Sequence, residues 1–394
     1  MKKSIACYLI VLIFLSLQLI ANVAFAKANT LDVSLIDQSP ILLSSYLSVL
    51  EDSTGVLTLD DIQKEDIAPR FQTDFPAEKP LTMSYTSSAY WLRLQLKNSG
   101  DKPISRMLNV DYPLLANLDF YFQTEQQNHP PIHTGYSKPF ENRAYKSRSF
   151  AFPIFLPEHS NNVIYFRVET PNSMIIPISL WESTDFYLKN NNDDFIQSIY
   201  IFIVIAIAML NFFFAVFFKE LNYFLYFCMT MFFALLVIFG RGFGSELLWL
   251  NSTWLTCIGS MFFASFAVIF QLLFIRRILD VPTLAPKIDL AFKLLISLHF
   301  VTAILLLFTF QFAKYIIIIF IMSAILSLIV SIIGVLKQQR HAYFVFAAFS
   351  ILSIGIIEHA TLLIGIIPIN NFTIYFSQIC LLLKLLIFSF LLAL

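Results

Sequence analysis

Hydrophobic residues dominate the second half of the chain, from Phe195 to Leu394, where long apolar stretches alternate with short polar segments. A bilayer core is about 30 Å thick, and a helix of about 20 apolar residues crosses it. The pattern therefore predicts an all-α, seven-helix transmembrane bundle over residues 195–394. The predicted spans are Phe195–Phe218, Tyr223–Gly240, Thr253–Phe274, Asp289–Thr309, Phe312–Leu336, Ala342–Gly365 and Phe372–Leu394.

A different pattern fills the first half, where polar and apolar residues alternate over short stretches. In the clearest case, Leu92, Leu94 and Leu96 share one face of a strand, and Trp91 and Arg93 share the other. This period of two is typical of a half-buried strand, and many such strands with turns between them indicate a β-sandwich over residues 27–188. Further strands are predicted at Met107–Val110, Leu118–Phe122, Phe150–Phe155, Val163–Glu169 and Ile175–Leu180, and short helices at Ser44–Glu51 and Leu59–Glu65.

The N-terminus has the pattern of a secretory signal. Lys2 and Lys3 precede an apolar stretch from Ile5 to Ile20, and Ala24-Phe25-Ala26 is a small-residue cleavage site. We predict a signal peptide at residues 1–26; a retained anchor helix is the alternative. Either way, the β-sandwich is exported. The polar segment from Lys189 to Asp194 is predicted to be a flexible junction with the membrane half.

Loop charges predict the direction of the spans. With the β-sandwich outside, the connections on the cytoplasmic side carry six basic residues, and the outer connections carry Arg241 alone. Basic residues are retained on the cytoplasmic side, so export and loop charge agree. We expect a multi-pass protein of the bacterial inner membrane with a periplasmic N-terminal domain and a cytoplasmic C-terminus. The six basic residues are Lys219, Arg276, Arg277, Lys287, Lys337 and Arg340.

Composition limits the kinds of partner and site that the sequence predicts. The chain is 58% hydrophobic and only 13% charged, and its formal net charge is zero, so no nucleic-acid partner is expected. None of the four cysteines lies in the predicted β-sandwich, and no pair has zinc-ligand spacing, so neither a disulfide framework nor a metal site is predicted. A nucleophile elbow and a glycine-rich phosphate loop are absent from the sequence. We therefore expect no catalytic residues and no cofactor.

Binding of a small ligand is the better prediction for the β-sandwich. Aromatic residues beside polar ones can stack on a sugar or metabolite and hydrogen-bond it. The alternative is that these side chains serve packing. The candidates are Trp91, Arg93, Tyr112, Tyr136, Arg143 and Trp181.

Polar residues inside the spans are costly and are therefore functional candidates. Glu358 and His359 lie in the sixth predicted span and Lys384 in the seventh, but about 10 Å of depth separates Glu358 from Lys384, which argues against a direct ion pair. In the first outer loop, Arg241 and Glu246 can form a switch pair; a hydrated pair of little energetic consequence is the alternative. A lysine in the seventh span is also a feature of retinal pigments, but no aspartate counter-ion occurs in the third span.

Several motifs carry a family resemblance. The strand Ala89–Asn98 (AYWLRLQLKN) and the segment Asn109–Tyr121 (NVDYPLLANLDFY) are followed in order by Pro139–Arg143, Phe150–Pro153 and Pro177–Trp181. These resemble bacterial seven-transmembrane receptors with diverse intracellular signalling modules, carrying the second type of extracellular domain. The resemblance implies a jelly-roll-like domain akin to carbohydrate-binding modules, which senses a small ligand, and a cytoplasmic histidine kinase or diguanylate cyclase that receives the signal.

This chain ends at Leu394 with no signature of either output module. We expect a receptor that is truncated or that signals through a separate cytoplasmic partner. Its seven helices are expected to contact the lipid bilayer. A homodimer is one assembly that we consider. The alternatives are a non-signalling envelope- or carbohydrate-binding membrane protein and, less favoured, a transporter.

Overall fold

The computed structural model describes residues 30–77, 79–124, 129–171, 173–244, 252–309, 313–363, 367 and 371–393. The predicted signal peptide and Glu246 lie outside these residues. The chain forms an all-β domain followed by seven long apolar helices, as the sequence pattern predicts.

The β domain contains a large sheet and a small sheet. The large sheet has the order β1-β5-β10-β7-β8, and β3 pairs with β5 along the edge that β1 also uses. The small sheet has the order β2-β12-β6-β9, and β4 pairs with β11. The strands are β1 Leu31–Asp32, β2 Ile41–Leu42, β3 Leu47–Asp52, β4 Leu81–Tyr85, β5 Ala89–Asn98, β6 Ile104–Val110, β7 Asn117–Thr124, β8 Ile132–Thr134, β9 Phe150–Leu156, β10 Ser160–Glu169, β11 Ser173–Ile176 and β12 Ile178–Trp181.

The two sheets pack face to face. Leu92 and Leu94 of β5 share one buried cluster with Leu108 of the small sheet. The rings of Phe120 in the large sheet and Phe152 in the small sheet stack with centroids 4.3 Å apart. The predicted sandwich is confirmed, and its core lies between the sheets because the apolar positions of each strand recur with a period of two.

Two local predictions are wrong. The helix predicted at Ser44–Glu51 is a short 3-10 turn, Ser44–Tyr46, followed by strand β3, in which Leu47 and Val49 face the core. The strand predicted at Ile175–Leu180 is interrupted at Pro177, which has no N–H to donate to a ladder. The segments on either side pair with different sheets, β11 with β4 and β12 with β6.

A segment that we call the flap, residues 53–72, crosses the outer face of the large sheet. It contains the helix α1, Leu59–Ile62, which is shorter than the predicted one. Ile62 and Phe71 of the flap cover Trp91 and Tyr165 of the sheet in a second, smaller apolar cluster. Burial by itself raises the pKa of Asp52, but hydrogen bonds from the Thr54 hydroxyl and from three N–H groups at the start of the flap lower it on balance.

Seven helices follow the β domain, and all are long and apolar enough to cross a membrane. They agree with the predicted spans to within a few residues, except at the start of the first. A short helix, α5 Val281–Leu284, lies between the third and fourth. The long helices are α2 Ser183–Phe218, α3 Leu221–Gly240, α4 Thr253–Ile278, α6 Pro286–Leu306, α7 Ala313–Leu336, α8 Arg340–Leu363 and α9 Asn371–Leu392.

Helix α2 begins directly after the last strand and runs without a break for 36 residues, a length of about 54 Å. The flexible junction predicted at Lys189–Asp194 is therefore wrong. Phe186, one turn before it, is buried against Met107 and Ala151 on the outer face of the small sheet. This packing and the ion pair from Lys189 to Asp193, one turn apart, hold the polar segment in the helix.

We predict that Gly135→Ala destabilises the β domain by roughly 3 kcal/mol or more, the range of severe backbone conflicts. Gly135 has a φ of 129°, and a Cβ there would lie 2.1 Å from the carbonyl oxygen of Ala116. Thermal unfolding of the purified full chain in detergent measures the effect. Gly55→Ala is the matched control: it also has a positive φ, 70°, but no atom within 4 Å. It should lose only about 1 kcal/mol, and equal losses in the two variants would contradict the steric argument.

Candidate functional site

The six ligand-binding candidates are not brought together at one place. Trp91 and Arg93 lie on the outer face of the large sheet, under the flap. Trp91 is only 1% exposed, and the Arg93 guanidinium lies over the Phe71 ring, 4.7 Å from its centroid. Their placement on one face confirms the period-two interpretation of β5.

The other four candidates lie elsewhere in the domain. Tyr136 is buried, and Tyr112 packs against the main core. The Arg143 guanidinium donates to the carbonyl oxygens of Ser147 and Arg148 and lies over the rings of Phe140 and Phe150. Trp181 ends β12 and donates from Nε1 to Ser179 Oγ, 2.8 Å away. Arg143 thus stabilises the loop that contains Ser147 and Arg148. Trp181 lies two residues before the start of α2.

The residues at the junction between the β domain and α2 form a network of charges. Lys189 Nζ of α2 lies 2.6 Å from Asp111 Oδ2, just beyond β6, and 3.0 Å from Asp193 Oδ2. Arg148, in the loop that Arg143 organises, lies 2.6 Å from Asp194 Oδ1. These contacts join the end of the small sheet to the second and third turns of α2.

The same loop contacts the turn after α3. The Arg148 guanidinium lies 4.3 Å from the centroid of the Phe243 ring, and Phe243 is buried. Arg241, at the end of α3, lies in the electrostatic field of Asp111 and Arg148. Burial lowers the pKa of its guanidinium, and the nearby Tyr375 hydroxyl and Asp111 carboxylate act in the opposite direction. The predicted pair with Glu246 falls outside the described residues.

Helix α9 makes polar contacts with α2 close to this junction. Tyr375 donates its hydroxyl to Asp193 Oδ1 at 2.5 Å. One turn deeper, the amides of Gln378 and Gln197 donate to each other, at 3.0 and 3.1 Å. Asp193 therefore links Lys189, which contacts the β domain, to the first turns of α9.

Polar contacts from α9 continue toward the far end of the bundle, the end away from the β domain. Lys384, fully buried, donates to Gln271 Oε1 of α4, and its ammonium lies 4.4 Å from the centroid of the Phe233 ring. Tyr226 of α3 contacts Ser389 Oγ at 3.0 Å. Tyr223 donates to the Leu392 carbonyl at 2.8 Å. We call Tyr375, Gln378, Lys384 and Ser389, with their partners on α2, α3 and α4, the polar column.

Glu358 and His359 do not join the polar column. Both Glu358 carboxylate oxygens are buried with no hydrogen-bond partner in the described part of the chain, and His359 is exposed on the bundle surface. No ion pair between Glu358 and Lys384 occurs among the described residues, as their difference in depth predicts. Of Glu358, His359 and Lys384, it is Lys384 for which the described residues give a polar partner on another helix.

Sequence reasoning missed most of the junction. Asp111, Arg148 and the pair Lys189 and Asp193 come from three segments far apart in the chain, and each residue alone resembles a solvated surface charge. Gln197 was the available signal for a contact near the junction. It is a polar residue inside the first predicted span, and a polar side chain inside a span requires a partner. No group of three or more potential metal ligands is present in the part of the chain that the structure describes.

Comparison with protein families gives two matches that together cover most of the chain. Residues 44–182 match the family described as 7TMR-DISM extracellular 2, and residues 193–394 match 7TM diverse intracellular signalling. No curated protein matches the chain. The second match covers just over half of the 394 residues, and both agree with the resemblance that the motifs carry.

We predict strong coupling between Gln271 and Lys384. Gln271→Leu leaves a buried ammonium without an acceptor and should cost about 2 kcal/mol or more, whereas Lys384→Met orphans only a neutral amide and should cost less. The double variant should recover much of the loss, because two apolar side chains replace the whole polar pair. Thermal unfolding in detergent measures the four proteins, and additive losses would contradict the predicted coupling.

Proposed function

Because this chain belongs to the 7TMR-DISM family of seven-transmembrane receptors, we propose that it is an inner-membrane receptor that senses a small periplasmic ligand with its β domain. The seven apolar helices make it a multi-pass membrane protein. In this proposal the helices relay the signal to a cytoplasmic module of the histidine kinase or diguanylate cyclase type. That the chain is not itself an enzyme stays a prediction, as does a homodimeric assembly.

One observation carries the proposal: polar contacts connect the β domain to α9 through α2, and further polar contacts join α9 to other helices along its length. Lys189 contacts both Asp111 of the β domain and Asp193 of α2, and Asp193 accepts the Tyr375 hydroxyl. Further along α9, Gln378, Lys384 and Ser389 of the polar column each contact a different helix, α2, α4 and α3. A non-signalling envelope-binding protein or a transporter has no evident use for such a link, and this favours the receptor over both alternatives.

The relay requires two arrangements of the helices. A ligand shifts such an equilibrium only by its difference in affinity for the two states. The junction suits this role because its charged side chains are partly exposed, and exposed ion pairs contribute less than about 1 kcal/mol each. Contacts of that size join the β domain to α2 and still allow a ligand of ordinary affinity to rearrange them.

The direction of the spans supports the same assignment. At the far end of the bundle, Arg276 and Lys293 both contact Asp289, and Lys337 donates to the Leu284 carbonyl at 2.7 Å. This concentration of basic residues favours a cytoplasmic location for the far end and hence a periplasmic β domain.

We predict that Tyr375→Phe changes the arrangement of the far end although Tyr375 lies at the near end. The lost hydrogen bond is worth about 1 kcal/mol, which changes a two-state equilibrium about fivefold. Spin labels at Leu221→Cys and Phe390→Cys, both exposed far-end positions, report the distance between α3 and α9 after the native cysteines are replaced. Tyr343→Phe, at an exposed position on α8, is the control. Identical distance distributions in parent and Tyr375→Phe would argue against a relay through α9.

We also predict that reporter fusions after Leu336 and after Leu394 both have cytoplasmic activity in cells, and that a fusion after Gly240 has periplasmic activity. These positions follow the fifth, seventh and second spans. Alkaline phosphatase fusions report a periplasmic location by their enzyme activity, and green fluorescent protein fusions report a cytoplasmic location by their fluorescence. A periplasmic signal after Leu336 or Leu394 would rule out the proposed topology.

A further inference from the structure

Three buried polar atoms without hydrogen-bond partners lie on the outer face of the large sheet. Ser48 Oγ, Trp91 Nε1 and Arg93 Nε are all buried with no hydrogen-bond partner among the described residues. Ser48 is directly opposite Arg93 in the ladder between β3 and β5, and Trp91 is two residues before Arg93 on the same face. All three atoms can donate a hydrogen bond, and only the Ser48 hydroxyl can also accept one, so donors predominate in the cluster.

Such a cluster calls for an explanation. Buried polar atoms in proteins are nearly always hydrogen-bonded, and each exception costs the desolvation of that group. Here three exceptions are neighbours on adjacent strands. A bound group that supplies acceptor oxygens would satisfy them together.

The charge of Arg93 indicates what kind of acceptor fits. No carboxylate pairs with Arg93 in the described part of the chain, and its guanidinium lies over the Phe71 ring of the flap. Arg167, on the same face of the sheet, is by contrast paired with Glu169 at 3.0 Å. The cluster therefore has an uncompensated positive charge, and a guanidinium binds planar oxyanions in a two-point geometry.

Flat apolar surface lies next to the donors. The ring centroids of Trp91 and Tyr121 are 5.6 Å apart. Tyr165 belongs to the same apolar cluster and lies on β10, the strand between β5 and β7. We propose that Ser48, Trp91 and Arg93 form a binding site for a small organic carboxylate whose apolar face packs on these rings. This inference rests on the proposed function, because it identifies the ligand class that the β domain would sense.

The flap controls access to the proposed site. Arg93 is only half-buried, but Ser48 and Trp91 are almost completely covered. The flap is fastened by Asp52, which accepts from Thr54, Gly55 and Leu57 at its start, and by a bridge between Gln72 and Val49 at its end. Between these points Arg167 donates to the Gly55 carbonyl at 2.8 Å. A ligand that reaches Trp91 Nε1 must displace the middle of the flap.

Binding to the purified full chain in detergent tests the proposal, with sodium benzoate and sodium glucuronate as probes. Benzyl alcohol and glucose are their neutral counterparts, and sodium phosphate is a tetrahedral oxyanion. At least one carboxylate should raise the Tm and change tryptophan fluorescence, and its neutral counterpart should not. Arg93→Gln should abolish the response. Trp91→Phe, which keeps a ring but removes the N–H, should weaken binding about tenfold, the effect of one hydrogen bond to a charged group.

Arg106→Gln is the matched control, since Arg106 is a half-buried arginine of the small sheet. It should bind the carboxylate like the parent, and Arg93→Lys should retain partial binding if Arg93→Gln fails to fold. The proposal is overturned if no carboxylate binds, if phosphate alone binds, or if Arg93→Gln and Arg106→Gln respond equally. Failure here leaves the relay through α9 untouched, because the spin-label distances test it without ligand.

Discussion

The constraint on which the bundle depends is the absence of water in the bilayer core. A polar side chain there has no solvent to bond with, so its partner must come from another helix or from the backbone. Gln378 and Lys384 of α9 meet this requirement with Gln197 of α2 and Gln271 of α4. Because each pair restricts the depth and the rotation of α9, few arrangements of the apolar packing around them are possible. Hydrophobic contact with lipid-like surfaces alone would leave the helix free to slide or turn.

Helix α2 extends this order to the β domain. Its first turns pack Phe186 on the outer face of the small sheet, and its next turns carry Lys189, Asp193 and Asp194 to the charges at the end of that sheet. A continuous helix transmits displacement along its axis better than a flexible linker, so in the proposed relay a movement of the small sheet would reach Asp193 and Tyr375 through α2. The partial exposure of the junction keeps its ion pairs weak, whereas Gln197 and Gln378 one turn deeper are buried. Weak ion pairs between the β domain and α2, beside stronger buried hydrogen bonds between α2 and α9, are the arrangement that a reversible relay needs.

Periodicity predicted the sheets and spans well because it records which face of each element is buried. The strand Ala89–Asn98 and the seven long helices are clear in the sequence for that reason. The course of α2 through Lys189–Asp194 was missed because Asn and Asp are poor helix formers, and the contacts that keep this segment helical come from residues distant in sequence. The partner of Lys384 could not be chosen either. Depth argued against Glu358, but only the packing of α4 against α9 selects Gln271. The position of the flap over Trp91 could not be predicted either, because no local sequence pattern shows that residues 53–72 cross the outer face of the large sheet.

The proposed carboxylate site and helix α2 lie on the two outer faces of the sandwich, so any communication between them crosses the core. Leu92, adjacent to Trp91 and Arg93 on β5, faces inward and shares a cluster with Leu108 and Phe152 of the small sheet. Their neighbours Met107 and Ala151 face outward and pack against Phe186. Each step passes from one residue to the next along a strand or across a close-packed interface, and such interiors transmit small shifts because they contain little free volume. The two sheets and the core side chains packed between them separate the site from the helix. This geometry makes the relative position of the two sheets the natural quantity for a ligand to change.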